Sequence, residues 1–194
     1  MPYLELETLK LCVGPRLVES PSLFDTRACA TLTYLSITQS SHSPLTRAIF
    51  TLESLQRLDL CRCTIEAEQA GRFSTFARLT DLRLTEVIVG GGASRGFAQA
   101  LSHTELEYLS VRGELHAASS YLLEILDVVP LRRLDVFRDE SYVHVDEYER
   151  LCTALRQKFV DSPRMVSLWF DSPTLILKRI ESAEQKQAML GTRS

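Results

Sequence analysis

The sequence predicts an α/β solenoid in which about seven short parallel strands line the concave face and helices cover the convex face. Two observations favour this fold. One pattern of apolar residues recurs along the chain, and the segments between its copies have helical periodicity. Each copy is too short to bury its own apolar side, so the copies must stack on one another. We therefore expect residues 1–194 to form a single domain with one continuous core.

The recurring pattern is L-x-x-L-x-L, with apolar residues at its first, fourth and sixth positions. Its copies, called units here, begin near residues 6, 32, 55, 79, 106, 131 and 165. Five of the six intervals fall within the range of about 20 to 29 residues that is typical of such repeats. Alternation of polar and apolar residues indicates a strand with one buried side. The strands are expected to be parallel and to centre on Leu9, Leu35, Leu58, Leu82, Leu109, Leu134 and Leu168.

The segments between the strands predict helices. Two of them place apolar residues on one helical face: residues 118–129 in the fifth unit and residues 148–159 in the sixth. In the second unit, Ser43 and Pro44 predict a helix start, with the serine hydroxyl as the cap and proline in the first turn. After the last strand, residues 173–194 are expected to form a C-terminal capping helix with a polar outer side.

The repeats resemble those of the leucine-rich-repeat (ribonuclease-inhibitor-like) superfamily, in particular the repeat region of F-box/LRR-type proteins. The third unit carries the resemblance best, because Leu55, Leu58 and Leu60 are followed by Cys63 and Ile65 at the family's Asn/Cys and apolar positions. The other units are degenerate at the Asn/Cys position, which holds Gly14, Ser40, Val87, Glu114, Asp139 and Pro173. The resemblance is specific for the fold and says little about function.

The resemblance implies a non-catalytic protein–protein interaction module, in the form of the substrate-recognition region of an F-box-like ubiquitin-ligase receptor. Two alternatives stay open. The chain is also compatible with the repeat segment of an immune-type receptor, or with a GTPase-activating regulator that acts through an arginine in a loop.

Composition limits the classes of partner. The chain has 45% apolar and 24% charged residues and a net charge of −3, so we expect no general attraction to nucleic acid or to a membrane surface. No apolar stretch reaches the roughly 18 residues of a membrane-spanning helix, and no secretory signal is visible. Five cysteines form an odd, sparse set that is unlike a disulfide framework, which favours the cytoplasm or nucleus.

Cofactor and catalytic sites are not predicted. Strand alternation directs Cys61 to the concave face and Cys63 to the interior, so the two cysteines do not form a metal pair. The four histidines lie in different connections, and the glycines at 90–92 are not followed by the Gly-Lys-Ser/Thr of a phosphate loop. We expect no enzyme activity, no cofactor and no metal.

The concave face is the predicted partner site, because the third, fifth, seventh and eighth positions of each unit have no role in the core. Aromatic and arginine side chains most often anchor protein interfaces. The predicted partner-binding residues are Tyr34, Arg57, Arg83, Tyr108, Arg112, Arg133, Phe137 and Trp169. A merely solvated face is the alternative, with Asp59 paired to Arg83, Asp135 paired to Arg133, and Phe137 packed on Trp169.

The two irregular regions of the repeat are its beginning and its sixth unit. No unit precedes Leu6, Leu9 and Leu11, so we expect a longer chain whose N-terminal edge is covered by further repeats, another domain or self-association. The long interval between residues 131 and 165 is assigned to a surface insertion at residues 139–146.

Overall fold

A computed structural model describes residues 6–13, 29–113, 115–138, 145–161, 167–170 and 176–178, and within them the fold is α/β. The strands are β1 (Thr8–Val13), β2 (Tyr34–Pro44), β3 (Arg57–Ile65), β4 (Asp81–Thr85), β5 (Ile88–Val89), β6 (Tyr108–Gly113), β7 (Arg133–Arg138), β8 (Ser167–Phe170) and β9 (Ile176–Lys178). The helices are α1 (Ala67–Ala70), α2 (Ser94–Leu101), α3 (Leu115–Val128) and α4 (Val145–Asp161). Two 3₁₀ helices, Arg47–Thr51 and Gly71–Thr75, lie between β2 and β4.

The sheet follows the order of the chain. Seven strands pair in parallel as β1-β2-β3-β4-β6-β7-β8, while β5 pairs with the end of β3 and β9 pairs antiparallel with β8. The register aligns the fourth position of every unit, so the row runs through Leu9, Leu35, Leu58, Leu82, Leu109, Leu134 and Leu168. The prediction of seven parallel strands centred on these residues is confirmed.

One backbone contact recurs where successive strands begin. The Glu7 carbonyl oxygen accepts hydrogen bonds from the N–H groups of Thr33 and Tyr34, each at 3.0 Å. The same pair of bonds recurs, at 2.8–3.1 Å, on the carbonyl oxygens of Thr33, Gln56, Thr80 and Glu107. Because each strand starts in the same way against its predecessor, side chains at equivalent positions form straight rows across the sheet.

The core lies on the helix side of the sheet. In β2, β3, β4, β6 and β7 the fourth- and sixth-position side chains are buried in one hydrophobic cluster with residues of the helices. Aromatic rings continue this core across four units, with neighbouring ring centroids 4.7–6.1 Å apart along Phe50, Phe73, Phe76, Phe97 and Tyr121. Edge-to-face and stacked contacts of this kind stabilise the packing of neighbouring units in addition to the effect of burying apolar surface.

The predicted helix start at Ser43 and Pro44 is wrong, because β2 continues through Pro44. The Ser43 N–H donates to Oε1 of Gln39 at 3.1 Å, and Gln39 Nε2 donates to the Pro44 carbonyl at 3.4 Å. A residue that precedes proline also favours extended backbone. The helical turn starts later, at the 3₁₀ helix Arg47–Thr51, where Thr46 is the N-cap.

The helices predicted in the fifth and sixth units are found as α3 and α4. The insertion predicted at residues 139–146 lies mostly outside the described residues, since only Val145 and Asp146, in the first turn of α4, are placed. Among the described helices, none has both the length and the apolar content that crossing a bilayer requires.

The C-terminal segment differs from the predicted capping helix. Ile176–Lys178 forms β9, which pairs antiparallel with β8 through Leu168 and Leu177. The backbone groups at the free side of β8 need hydrogen-bond partners, and a strand returning from β8 supplies them. The rest of residues 173–194 lies outside the described part of the chain.

At the opposite side of the sheet, β1 pairs with β2 alone among the described strands. Leu6, Leu9 and Leu11 are only half-buried there, whereas the equivalent leucines of the middle units are inaccessible to solvent. The expectation that something covers this edge stays a prediction, because residues 1–5 and 14–28 are not described.

Candidate partner-binding face

The open face is the name used here for the third-, fifth- and seventh-position side chains of β1, β2, β3, β4, β6 and β7. These side chains are exposed or half-buried, with the exception of Asp135. The third-position row is Thr8, Tyr34, Arg57, Asp81, Tyr108 and Arg133. The fifth-position row is Lys10, Ser36, Asp59, Arg83, Ser110 and Asp135.

The first tyrosine cluster consists of Lys10, Tyr34, Ser36, Arg57 and Asp59. The Tyr34 hydroxyl donates a 2.8 Å hydrogen bond to Oδ2 of Asp59. Arg57 donates to the same carboxylate through Nε at 3.1 Å and through Nη2 at 3.0 Å. The guanidinium carbon of Arg57 lies 4.6 Å from the Tyr34 ring centroid, and the Lys10 ammonium lies 5.7 Å from it. The ring therefore has a cation from each neighbouring strand close to its π system.

The second tyrosine cluster consists of Arg83, Tyr108, Ser110, Arg133 and Asp135, and it repeats the first. The Tyr108 hydroxyl donates to Oδ2 of Asp135 at 2.8 Å. Arg133 donates to the two carboxylate oxygens through Nε at 3.0 Å and Nη2 at 2.7 Å. Arg83 and Arg133 lie 5.2 and 5.0 Å from the Tyr108 ring centroid. The two clusters thus share both residue types and contacts.

The two clusters are related by a shift of three strands. Each residue of the first has a counterpart 73 to 76 positions later, and only the lysine of the first becomes an arginine. At about 4.8 Å between neighbouring strands, the shift corresponds to about 14 Å across the sheet. The open face therefore presents the same arrangement of side chains twice.

Asp81 joins the clusters into one network. It lies 3.2 Å from Arg83 Nε and 3.7 Å from Arg57 Nε, while Arg83 Nε is also 3.8 Å from the Asp59 carboxylate. In the first cluster the position equivalent to Asp81 is Thr8, which carries no charge. Ion pairs therefore link Arg57, Asp59, Asp81 and Arg83, and Tyr108 links Arg83 to Asp135.

Titration behaviour follows from these contacts. Burial, followed by the hydrogen bond to aspartate, raises the pKa of Tyr34 and Tyr108. Hydrogen bonds to the carboxylates raise the pKa of Arg57, Arg83 and Arg133. Both tyrosines therefore stay neutral donors, and the three arginines stay charged, through the physiological pH range.

Two cations on the open face differ from the paired arginines. Arg112 is exposed and lies 5.9 Å from the ring centroid of Phe137 on the neighbouring strand. Lys10 is also exposed. Among the described side chains, no carboxylate lies within 4 Å of either cation.

The structure brings most of the predicted site residues together. Cation–π contacts join Tyr34 to Arg57, Tyr108 to Arg83 and Arg133, and Phe137 to Arg112. Trp169 is placed in β8 opposite Asp135, but its side chain is outside what the structure describes, so its packing on Phe137 is untested. The ion pairs proposed for a solvated face, Asp59 with Arg83 and Asp135 with Arg133, are also formed. Partner binding at these residues stays a prediction.

The predicted site omitted the residues that organise the face. Asp59, Asp81 and Asp135 fix the arginines and tyrosines, and Lys10 completes the first cluster. For Lys10, Asp59 and Asp135 the signal was present in the sequence. Comparing the fifth-position row three units apart gives lysine, serine, aspartate and then arginine, serine, aspartate.

Three residues with left-handed backbone conformation lie at one border of the open face. Arg62, Glu86 and Gly113 occupy the eighth position of successive units, with φ of 58°, 51° and 134°. Arg62 Nε and Glu86 Oε2 form a 2.8 Å ion pair, and the Glu86 carbonyl lies 2.8 Å from His42 Nε2. A Cβ at Gly113 would lie 3.1 Å from both Cα and N of Glu86. Residue 113 must therefore be glycine.

The cysteines match the predicted alternation. Cys61 is half-buried on the open face, while Cys63 is buried in the core. Burial raises the pKa of Cys61, and it raises the pKa of Cys63 to about 12. Within the described ranges, no group of three or more histidine, cysteine, aspartate or glutamate side chains is arranged to hold a metal ion.

Neither of two comparisons with known proteins gave a match. A scan against protein-family models found no family for the chain, and a search of curated proteins found no significant relative.

Proposed function

We propose that the chain is a leucine-rich-repeat solenoid of the ribonuclease-inhibitor-like type and a non-catalytic module that binds a partner protein on its open face, the concave side of the solenoid. Seven parallel strands in chain order support the repeat architecture, because each stacked unit then contacts only its neighbours. The third to seventh positions of successive units pair in the same register, which supports the repeat architecture further. The units therefore keep one strand geometry although their sequences differ.

The doubled cluster of tyrosine and arginine on a solvent-facing sheet is the observation that carries the proposal. These side chains do not belong to the hydrophobic core, yet each one is fixed by an aspartate. Tyrosine and arginine are the residue types that most often dominate binding energy at interfaces. Side chains that are already fixed lose little conformational entropy when a partner binds.

The resemblance of the third repeat to those of F-box/LRR-type proteins gives the proposal a specific form. The open face would recognise the substrate of an F-box-like ubiquitin-ligase receptor in the cytoplasm or nucleus. The odd, sparse cysteines support a reducing compartment.

The test is affinity purification of the protein from its native cells, with partners identified by mass spectrometry. The wild type is compared with the double variant Arg83→Ala/Arg112→Ala on the open face. The matched control is Arg72→Ala/Arg95→Ala, which removes the same charge from exposed positions of the second 3₁₀ helix and α2.

We expect the open-face variant to lose partners that the control retains, and ubiquitin-ligase subunits to be among the proteins that both variants retain. Partners that persist in both variants without any such subunit would exclude the ligase form. An identical set of partners for the wild type and both variants would overturn the use of the open face.

A further inference from the structure

The charges of the open face and its border indicate the chemistry of the partner. The described basic side chains there are Lys10, Arg57, Arg62, Arg83, Arg112 and Arg133, and the acidic ones are Asp59, Asp81, Glu86 and Asp135. This region therefore has two more positive than negative charges, although the chain as a whole has a net charge of −3. A ligand of negative charge is complementary to it.

The excess charge is divided between the two tyrosine clusters. All four acidic groups are already ion-paired with arginines of the same region. Lys10 is the extra cation of the first cluster, and Arg112 is the extra cation beside the second, on the same strand as Tyr108 and Ser110. A ligand with one negative group at each cluster would match this distribution.

The size of the face favours a segment of a protein over a whole domain. From β1 to β7 the sheet is about 24 Å wide, and five residues of strand are about 17 Å long. The resulting area of about 400 Å² is roughly half of what each partner buries in a standard interface. An extended segment that crosses the strands fits these dimensions.

The spacing of the two extra cations sets the spacing of the negative groups. Lys10 on β1 and Arg112 on β6 are four strand spacings apart across the sheet and two residues apart along the strands, which corresponds to about 20 Å. An extended chain rises about 3.4 Å per residue, so about 20 Å corresponds to six residues. Residues six apart in an extended chain also point to the same side, so two carboxylate side chains with this spacing can reach both cations at once.

We propose that the open face binds an extended acidic segment of its partner protein, with two carboxylate side chains six residues apart, one at Lys10 in the first tyrosine cluster and one at Arg112 beside the second. This inference rests on the proposed interaction function and specifies its ligand. Lys10 and Arg112 each contact one carboxylate, and the segment crosses the strands between them.

The probes are synthetic twelve-residue peptides of glycine, serine and threonine that carry two glutamates. Spacings of three, four and six residues are compared by fluorescence anisotropy with the whole chain, together with a peptide that has glutamines at the six-residue spacing. We expect the peptide with glutamates at the six-residue spacing to bind at least tenfold more tightly than the other three. Raising the ionic strength should weaken that binding.

Variants locate the binding. Lys10→Gln and Arg112→Gln are each expected to abolish the preference for six-residue spacing, while Arg72→Gln, on the helix side, should leave it unchanged. Circular dichroism of each variant verifies that it is folded. Equal affinity at all spacings would show general charge attraction and overturn the inference, as would tighter binding of a single-stranded oligonucleotide than of the peptide with six-residue spacing.

The outcomes also separate this inference from the proposed function. If the Arg83→Ala/Arg112→Ala variant loses partners in cells but no peptide shows a spacing preference, the acidic segment is wrong and the interaction function stands. If neither result appears, both proposals fail.

Discussion

The two tyrosine clusters make the same contacts in different surroundings. The Asp135 side chain is only 3% exposed, whereas that of Asp59 is 22% exposed and is also approached by Arg83 from the neighbouring strand. In the register of the sheet, Asp135 has Trp169 opposite it on the following strand, and Asp59 has Arg83.

This difference shows that a repeated contact need not have a repeated energetic role. An exposed ion pair is screened by water and contributes little to stability, while a buried carboxylate depends on its protein partners. We therefore expect the second cluster to contribute more to folding and the first to be easier to alter without unfolding the protein.

The largest losses of stability are expected for the core leucines beneath the open face, and the losses at the two clusters are compared with them. Leu82→Ala and Leu109→Ala, both beneath the second cluster, should each lower the free energy of unfolding by about 2–5 kcal/mol. Leu9→Ala, beneath the outer end of the first cluster, should cost less because Leu9 is only half-buried. Denaturant unfolding measures all three, and equal losses would contradict a gradient from the middle of the sheet to β1.

The aspartates test the comparison directly. Asp135→Asn should destabilise the protein by about 1.5–3 kcal/mol, the usual contribution of hydrogen bonds to a charged group. Asp59→Asn should cost below about 1 kcal/mol, because its ion pairs are partly exposed. Denaturant unfolding of both variants, with the exposed Glu53→Gln as control, measures which aspartate contributes more to stability. A larger loss at Asp59 would reverse the proposed roles.

Alkaline titration is expected to distinguish the tyrosines of both clusters from exposed ones. The folded-state pKa of Tyr34 and Tyr108 is raised above the unfolded value of about 10. Their contribution to stability is therefore complete below pH 10 and is lost as the pH rises through the folded-state pKa. Tyr34→Phe and Tyr108→Phe should each reduce this alkaline loss of stability. Absorption titration that shows either tyrosine ionising at its ordinary pKa would refute the prediction.

The smallest effect concerns the reactivity of the cysteines that lie beside the first tyrosine cluster. The seventh-position row has Cys12 and Cys61 in the first three units but Arg112 and Phe137 beside the second cluster. A thiol reagent should label Cys12 first and Cys61 more slowly. It should label Cys63, whose pKa is raised to about 12, only after unfolding. Mass spectrometry of the labelled peptides measures the order, and labelling of Cys63 as fast as Cys61 would contradict it.

The sequence was sufficient to place the seven strands because alternation and the repeated leucines both depend on local spacing. It was not sufficient where one particular hydrogen-bonding partner decides the structure. Ser43 and Pro44 stay extended because they are hydrogen-bonded to the Gln39 side chain, and Ile176–Lys178 is a strand because β8 pairs with it. Neither contact follows from secondary-structure propensity alone.

The open face was predictable as a set of rows but not as a network. The predicted site selected arginines and aromatics by residue type, so it included Arg57 and Tyr108 and omitted Asp59 and Asp135. Whether a charged side chain is free or paired depends on its neighbours across strands, which a single strand's sequence does not contain.

The agreement between strand order and chain order also determines how the molecule should respond to force. Since each strand pairs with the strands of adjacent units, tension applied at the two ends loads the outermost pairs first, and the inner ones keep their hydrogen bonds. Most units begin 23 to 27 residues after the one before. Each unit that detaches should therefore release roughly 85 Å of chain at the extended length per residue. Stretched in this way, the protein would lengthen in steps of one unit.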